Sequence, residues 1–320
     1  MAACGGGGDG TAVSADSDPG DVLEAALGGG GEPITSGVLD LELDLESSSA
    51  ELGTVSASVK GPFSSNGDGE LPDLDLDLSA DADVGGPTLG FAGGLTLTGD
   101  GLWINYQGQD YELDAATFAK VKDSYAKSSQ LQQDQGDGGS LAQFGIDPKD
   151  WLTDVSNEGT EDVDGTETVH ISGAGDIGRI VADLDSVAQQ SGQQQIDTAG
   201  LSELGNSIRS ADVDVYAATG DGSLRRLDVT LDIAGGGGGE ASTLTASIGI
   251  ADPNSDQSVS APENALPLSD LLGQLSGAAD SLGIAPSAGS GAGGDSSAYF
   301  DCVQQAPSAA AVSDCSRYLQ

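Results

Sequence analysis

Apolar and polar residues alternate one by one over long stretches of this chain, the pattern of a β-strand with one dry and one hydrated face. The stretch LPDLDLDLSADADV (71–84) places leucine or alanine at every second position, with aspartate or serine mainly between them. A similar run, VLDLELDLE, precedes it at 38–46. The same reasoning predicts strands over 55–59, 89–97, 102–106, 110–113, 157–163, 166–173, 211–219, 224–234 and 242–251.

Three segments have a helical pattern instead. The segment DPGDVLEAAL (18–27) predicts a helix capped by Asp18, with Pro19 at its first position. Residues 115–130 have helical period, and 176–190 form an amphipathic helix with its apolar residues on one stripe. Tight reversals are predicted at 98–101, at Gln107-Gly108, at Asp164-Gly165 and at 220–223.

These elements predict one α+β domain, an antiparallel sheet with a few helices, over residues 18–262. Residues 1–17 read as a flexible Gly-rich tether. Residues 263–298 read as a Ser/Ala/Gly-rich linker with one short helix, and 299–320 as a small helical tail.

The strong excess of acidic residues argues against two classes of binding partner. The 320 residues include 52 acidic and 10 basic ones, for a net charge of −42. Such a surface repels nucleic acid, which is recognised by Lys and Arg, and it argues against electrostatic docking on anionic lipid headgroups. No apolar run reaches the length of a membrane-spanning helix.

The three cysteines point to an exported protein. Ala-Ala-Cys followed by glycines resembles the end of a bacterial lipobox, so we expect Cys4 to carry a lipid anchor. The alternative is a free cysteine in a disordered tail. Cys302 and Cys315 are separated by 12 residues, a span that fits two short helical turns joined by one disulfide. One disulfide and one lipidated cysteine are what an oxidising, extracytoplasmic location predicts.

Catalytic and metal-binding motifs are missing from the sequence. His170 is the only histidine; it lies in TVHIS, and we expect it to face solvent or a turn rather than act as a base. No G-x-S-x-G elbow or P-loop occurs. Turns such as EDVDGT and DPNSDQ could ligate Ca²⁺, but none has EF-hand spacing. We therefore predict no enzyme activity, no cofactor and no specific metal site.

Two segments resemble the half-barrel lipoproteins of the LolA-like superfamily, in particular its actinobacterial LppX–LprG group. The first is GIDPKDWLTDVSNEGTEDVDGTETVHISGAGD (145–176), a Pro-and-Trp segment that enters a hairpin before a helix. The second is VDVYAATGDGSLRRLDVTLDI (213–233), a hairpin with an Arg-containing return strand. With the first helix and the LDLELDL strand, the resemblance covers residues 18–250.

The resemblance implies a curved antiparallel half-barrel that wraps a few helices and binds an acyl chain or similar lipid on its concave face. The chain would then be a monomeric carrier anchored to the outer face of the bacterial cell membrane. The residues expected to face the ligand are Leu39, Leu41, Leu43, Leu45, Leu74, Leu76, Leu78, Phe91, Leu95, Leu97, Val229, Leu231 and Ile248.

Two other uses of the same scaffold stay open. The leucine faces could pack on the helices as a core, with no cavity. The protein could also be a non-enzymatic interaction or sensor module at the cell surface, with contacts from the Gln189–Gln195 loop and the disulfide tail.

Overall fold

The computed structural model describes residues 12–28, 34–48, 53–67, 69–83, 88–133, 148–190, 205–235 and 241–274. Three helices are named here: α1 (Pro19–Leu27), α2 (Ala115–Gln133) and α3 (Ile177–Gln190). A 3-10 turn, Pro148–Trp151, precedes the seventh strand. The strands are β1 (Ser36–Ser47), β2 (Thr54–Ser64), β3 (Asp73–Asp83), β4 (Leu89–Leu97), β5 (Leu102–Tyr106), β6 (Gln109–Glu112), β7 (Leu152–Val163), β8 (Thr166–Gly175), β9 (Ile208–Ala218), β10 (Leu224–Ile233), β11 (Ser242–Ala251) and β12 (Leu266–Pro267).

All twelve strands belong to one open sheet, in the order β12-β6-β5-β4-β3-β2-β1-β11-β10-β9-β8-β7. Neighbouring strands are antiparallel except β12, which pairs with β6 in parallel. A large open, mostly antiparallel sheet with a few helices fits the predicted half-barrel α+β fold. The link that the sequence could not show is the pairing of β1 with β11, which joins the first six strands to the later ones.

The strands and the three helices predicted between residues 18 and 262 are confirmed, with changes at their ends: β2 runs five residues past its predicted end, and β7 begins five residues before its predicted start. The helical tail predicted at 299–320 lies outside the described residues. α1 starts at Pro19, and the Asp18 carboxylate accepts a hydrogen bond from the Gly20 N–H at 2.9 Å. Asp164 and Gly165 both have positive φ, as a tight hairpin turn of this kind requires. β12 was not predicted, and it places Leu266–Pro267 in the sheet, beyond the residue 262 boundary.

The folded domain begins earlier than its predicted start at residue 18. Val13, in the stretch predicted as a tether, is buried, and its N–H donates to the Thr219 carbonyl. Cys4, Cys302 and Cys315 lie outside the described residues, as does most of the Gln189–Gln195 loop.

The main core lies on the apolar face of β8, β9 and β10, under α1 and the 3-10 turn. Its most deeply buried side chains are Val22, Val169, Ile171, Val213, Val215 and Leu227. Trp151 closes one side of this core, and its indole N–H donates to Asp183 at 2.8 Å. A second, smaller cluster forms where Phe118 of α2 packs on Leu71 and Leu97.

Candidate functional site: the apolar floor

Within the described residues, neither core cluster covers the middle of the same sheet face. We call this region the apolar floor. It comprises Leu39, Leu41, Leu43 and Leu45 of β1, Val55, Ala57 and Val59 of β2, Leu76, Leu78, Ala80 and Ala82 of β3, Leu89, Phe91 and Leu95 of β4, and Leu244, Ala246 and Ile248 of β11.

Strand register places these residues on one face. In antiparallel sheets directly paired residues point to the same side. Leu43 pairs with Ala246 on one flank and with Ala57 on the other, Ala57 pairs with Ala80, and Ala80 pairs with Phe91. The neighbouring row runs from Ile248 through Leu41, Val59 and Leu78 to Gly93. The floor is therefore continuous across five strands.

The floor is partly open to solvent. Leu43 is 42% exposed, Phe91 50% and Leu89 62%, although all three are large and apolar. The other floor residues are half-buried. Along β4 the exposure falls from Leu89 to Leu97, which is 7% exposed beside Phe118 of α2. The floor is therefore exposed to solvent near the first residue of β4, and α2 covers it near the last residue of that strand.

The ligand-facing residues predicted from the sequence all lie on this sheet face, but they do not share one environment. Val229 and Leu231 are buried in the main core, and the floor residue Ile248 packs against that core where the two meet. Leu97 is buried in the second cluster, with Leu74 packed against it. The remaining eight, Leu39, Leu41, Leu43, Leu45, Leu76, Leu78, Phe91 and Leu95, are half-buried or exposed on the floor.

Several floor residues were missed. Leu89 has the largest exposed fraction among the large apolar side chains that the structure describes, yet it belongs to a strand that the sequence predicts. Tyr106 of β5 pairs with Gly93, and its ring stacks on Phe91 with centroids 6.3 Å apart and planes at 26°. The period of β4 could have indicated Leu89, whereas Tyr106 depends on the register of the β4–β5 hairpin.

The opposite face carries the acidic ladder. Asp75, Asp77, Asp81 and Asp83 of β3 are exposed there, and Asp73 is half-buried. Asp75 accepts a hydrogen bond from the Thr96 hydroxyl at 3.0 Å. Lys60 pairs with Asp40, and this hydrogen bond raises the pKa of the Lys60 ammonium. These acids mark the hydrated side of the sheet.

His170 lies on the polar face of the sheet, opposite the buried Val169 and Ile171, but it is less open to solvent than the sequence predicts. Only 18% of its side chain is exposed, because its ring stacks on that of Tyr216 with centroids 4.5 Å apart. Its Nε2 lies 2.7 Å from Asp214 Oδ1, and its Nδ1 lies 3.6 Å from a carboxylate oxygen of Glu161. His170 and Tyr216 are paired across β8 and β9, and the sequence pattern does not predict this register.

The surroundings of His170 are polar and strongly hydrogen-bonded. Burial, with the nearby charge of Asp214, raises the pKa of Tyr216 to about 12. Hydrogen bonds from Ser156 and Ser172 lower the pKa of the Glu158 carboxyl. His170 contacts two carboxylates and an aromatic ring, and within the described residues no nucleophile of a catalytic triad is bonded to it.

The described part of the chain contains neither a metal-ion cluster nor a membrane-spanning helix. There, no group of three or more His, Cys, Asp or Glu side chains is arranged to hold a metal ion. Among the same residues, none of the helices has both the length and the apolar character needed to cross a membrane.

Comparison with known proteins gives matches only among solved structures. No family model matches the chain, and no curated protein does. The lipoprotein LppX of Mycobacterium tuberculosis is 13% identical, with a TM-score of 0.36, over 76% of this chain and 100% of that one. LprF of Mycobacterium bovis is 12% identical, with a TM-score of 0.37, over 78% and 99% of the two chains.

A LolA superfamily protein of Nitrosomonas europaea is 13% identical, with a TM-score of 0.16, over 75% of this chain and 95% of that one. The names LppX and LolA superfamily are those of the group that the sequence resembles.

Proposed function

We propose that this protein binds an acyl chain or another apolar, lipid-like ligand on the apolar floor and carries or presents it outside the cytoplasmic membrane. The observation that supports the proposal is the exposure of Leu43, Leu89 and Phe91 in the middle of a sheet face whose two flanks are packed cores. Large apolar side chains grouped in this way mark binding surfaces in soluble proteins.

The size of the floor favours a small ligand. The four spacings between five strands, at about 4.8 Å each, give a width of about 19 Å, and the six spacings from Leu39 to Leu45 of β1 give a length of about 20 Å. The resulting area of about 400 Å² is half of the roughly 800 Å² per partner that a stable protein interface needs. A lipid-like molecule therefore suits the floor better than a second copy of the chain, and we propose that the protein acts as a monomer.

Burial of a short alkyl chain on the floor would release enough free energy for binding. Each methylene group removed from water contributes about 0.8 kcal/mol. Six methylenes covering Leu41, Leu43 and Leu78 would contribute about 5 kcal/mol before the cost of immobilising the ligand. The floor supplies this contact without charged groups, because its side chains are Leu, Val, Ala, Ile and Phe.

The proposal is tested by binding of a fluorescent acyl probe to the full chain. Replacing Leu43 by Asn places a polar group in the centre of the floor at a half-exposed position, so the fold should persist while probe affinity falls about tenfold or more. The matched control is Glu42→Gln, one residue along β1 on the opposite, hydrated face, which should bind as the parent does. Absence of probe uptake by the parent, together with absence of copurifying lipid in native mass spectrometry, would refute the proposal.

We further propose that Cys4 anchors the protein to the outer face of the cell membrane. Mass spectrometry of the protein isolated from its native cells should find the peptide that begins at Cys4 heavier by a lipid. A Cys4→Ser variant should lose the lipid and leave the membrane fraction. An unmodified Cys4 in the membrane-bound protein would contradict this proposal and leave ligand binding unaffected.

A further inference from the structure

Gly93 leaves a gap in the floor. It lies in the middle of β4, between Leu78 of β3 and Tyr106 of β5, and the row that contains them has no side chain at this position. The ring of Phe91 occupies the space: a Cβ at Gly93 would lie 3.0 Å from Phe91 Cζ and 2.9 Å from the Asn105 carbonyl oxygen. The gap at Gly93 is the width of one side chain, and it is filled from within the same strand.

The Phe91 ring lies outside both core clusters. Half of the residue is exposed, and its direct cross-strand neighbour on β3 is Ala80, which offers only a methyl group. Its aromatic contact is the offset stack on Tyr106. The ring can therefore leave Gly93 by giving up one stacked pair, without opening a buried core.

We propose that Phe91 is a displaceable plug that determines how the ligand is seated. When an apolar chain binds, the ring moves off Gly93, and the chain occupies the groove between Leu78 and Tyr106. A groove that lacks a single side chain suits an unbranched alkyl chain better than a branched or ring-shaped group. This inference rests on the proposed function, since it names the ligand class and the residue that selects it.

A purely structural role for Phe91 predicts something different. Aromatic rings often cover glycines in sheets and stabilise the strand. In that case the ring would stay on Gly93 whether or not a ligand is bound, and its removal would change only stability. The position of the ring in the bound state separates the two roles.

Fluorine NMR can observe the ring directly. The full chain contains 5 phenylalanines, so fluorophenylalanine labelling gives few lines, and Phe91→Leu and Phe118→Leu variants assign two of them. The probe is a nonionic alkyl glycoside below its micelle concentration, because the net charge of −42 disfavours an anionic one. We expect the Phe91 line to shift with saturation by the glycoside, while the line of the buried Phe118 stays in place.

Affinity gives an independent readout. Phe91→Ala removes the plug, so the alkyl glycoside should bind about two- to tenfold more tightly, the equivalent of a stacked pair worth about 0.5–1.5 kcal/mol. The control Leu89→Ala, two residues away on the same face of β4, should bind equally or more weakly.

Two outcomes would overturn the plug while leaving the proposed function intact. One is glycoside binding with an unmoved Phe91 line, and the other is weaker binding by Phe91→Ala, which would make the ring an ordinary contact. Failure of the parent to bind any alkyl probe would remove the proposed function, and the plug with it.

Discussion

Val229 and Leu43 lie in the same row of the sheet, two strands apart and joined through Ala246, yet Val229 is 9% exposed and Leu43 is 42% exposed. The difference arises because α1 packs over β8, β9 and β10, and Val229 belongs to the core formed there, whereas Leu43 does not. Although the two side chains are both apolar and point to the same side of the sheet, Val229 belongs to the core and Leu43 belongs to the candidate binding surface.

This pair gives the first prediction. Val229→Ala should lower the free energy of unfolding by about 2 kcal/mol, because it removes buried methyl groups and leaves a cavity. Leu43→Ala should change it by less than about 0.5 kcal/mol, since the side chain is already half in water. Denaturant unfolding of both variants measures the difference. Equal losses would mean that the floor is packed in solution.

A second prediction concerns the start of α2. Asp114 accepts hydrogen bonds from the Ala116 N–H at 3.1 Å and the Thr117 N–H at 3.0 Å, as a helix cap does. We expect Asp114→Ala to lower the free energy of unfolding by about 1 kcal/mol. Asp114→Asn is the matched control, because asparagine caps as well as aspartate and should cost little. Circular dichroism during thermal unfolding measures both.

The pH dependence of this cap follows from its hydrogen bonds. Those from Thr117 lower the pKa of the Asp114 carboxyl. Because the pKa of Asp114 is lower in the folded state, its carboxylate stabilises the fold at pH values above the ordinary pKa of 3.8. This stabilisation is lost as the pH falls through the pKa of the folded state. The parent should therefore lose more stability than Asp114→Asn between about pH 5 and pH 3. Parallel curves for the two proteins would contradict the capping role.

The third prediction concerns Tyr216, whose pKa is raised from 10.0 to about 12 by burial and by neighbouring carboxylates, Asp214 first among them. Between these two values the unfolded chain loses the phenol proton while the folded chain keeps it, so stability should fall as the pH rises. Ultraviolet titration should show a tyrosine ionisation near pH 12. Tyr216→Phe keeps the ring on His170 and should remove both this late step and the slope.

The fourth prediction concerns salt. Asp214 and Asp228 are direct cross-strand neighbours on β9 and β10, within a molecule of net charge −42. Like charges placed opposite each other destabilise a sheet. We expect the melting temperature at pH 7 to rise as the ionic strength increases from about 0.01 M to about 0.15 M, over which the Debye length falls from about 30 Å to about 8 Å.

A control for this effect uses pH. Near pH 4 many carboxylates are protonated, so the same salt series should produce a smaller rise. A melting temperature that stays flat or falls with salt at pH 7 would show that the acidic face carries no net repulsion in the folded state.

The sequence alone determined the local elements. Period-two alternation places Leu74, Leu76 and Leu78 on one face of β3 and Asp75 and Asp77 on the other, because successive side chains of a strand point in opposite directions. The Asp18 cap fixes the start of α1, and two positive-φ residues fix the turn between β7 and β8. Each of these rests on neighbours in the chain.

Only the tertiary structure decided which apolar residues are core and which form the floor. That division depends on β1 pairing with β11, about 200 residues away, and on where α1 and Phe118 of α2 meet the sheet. The alternation is the same in β1 and β10, so it cannot tell Leu43 from Val229. Burial is set by what packs above a strand, and the period of the strand carries no information about that.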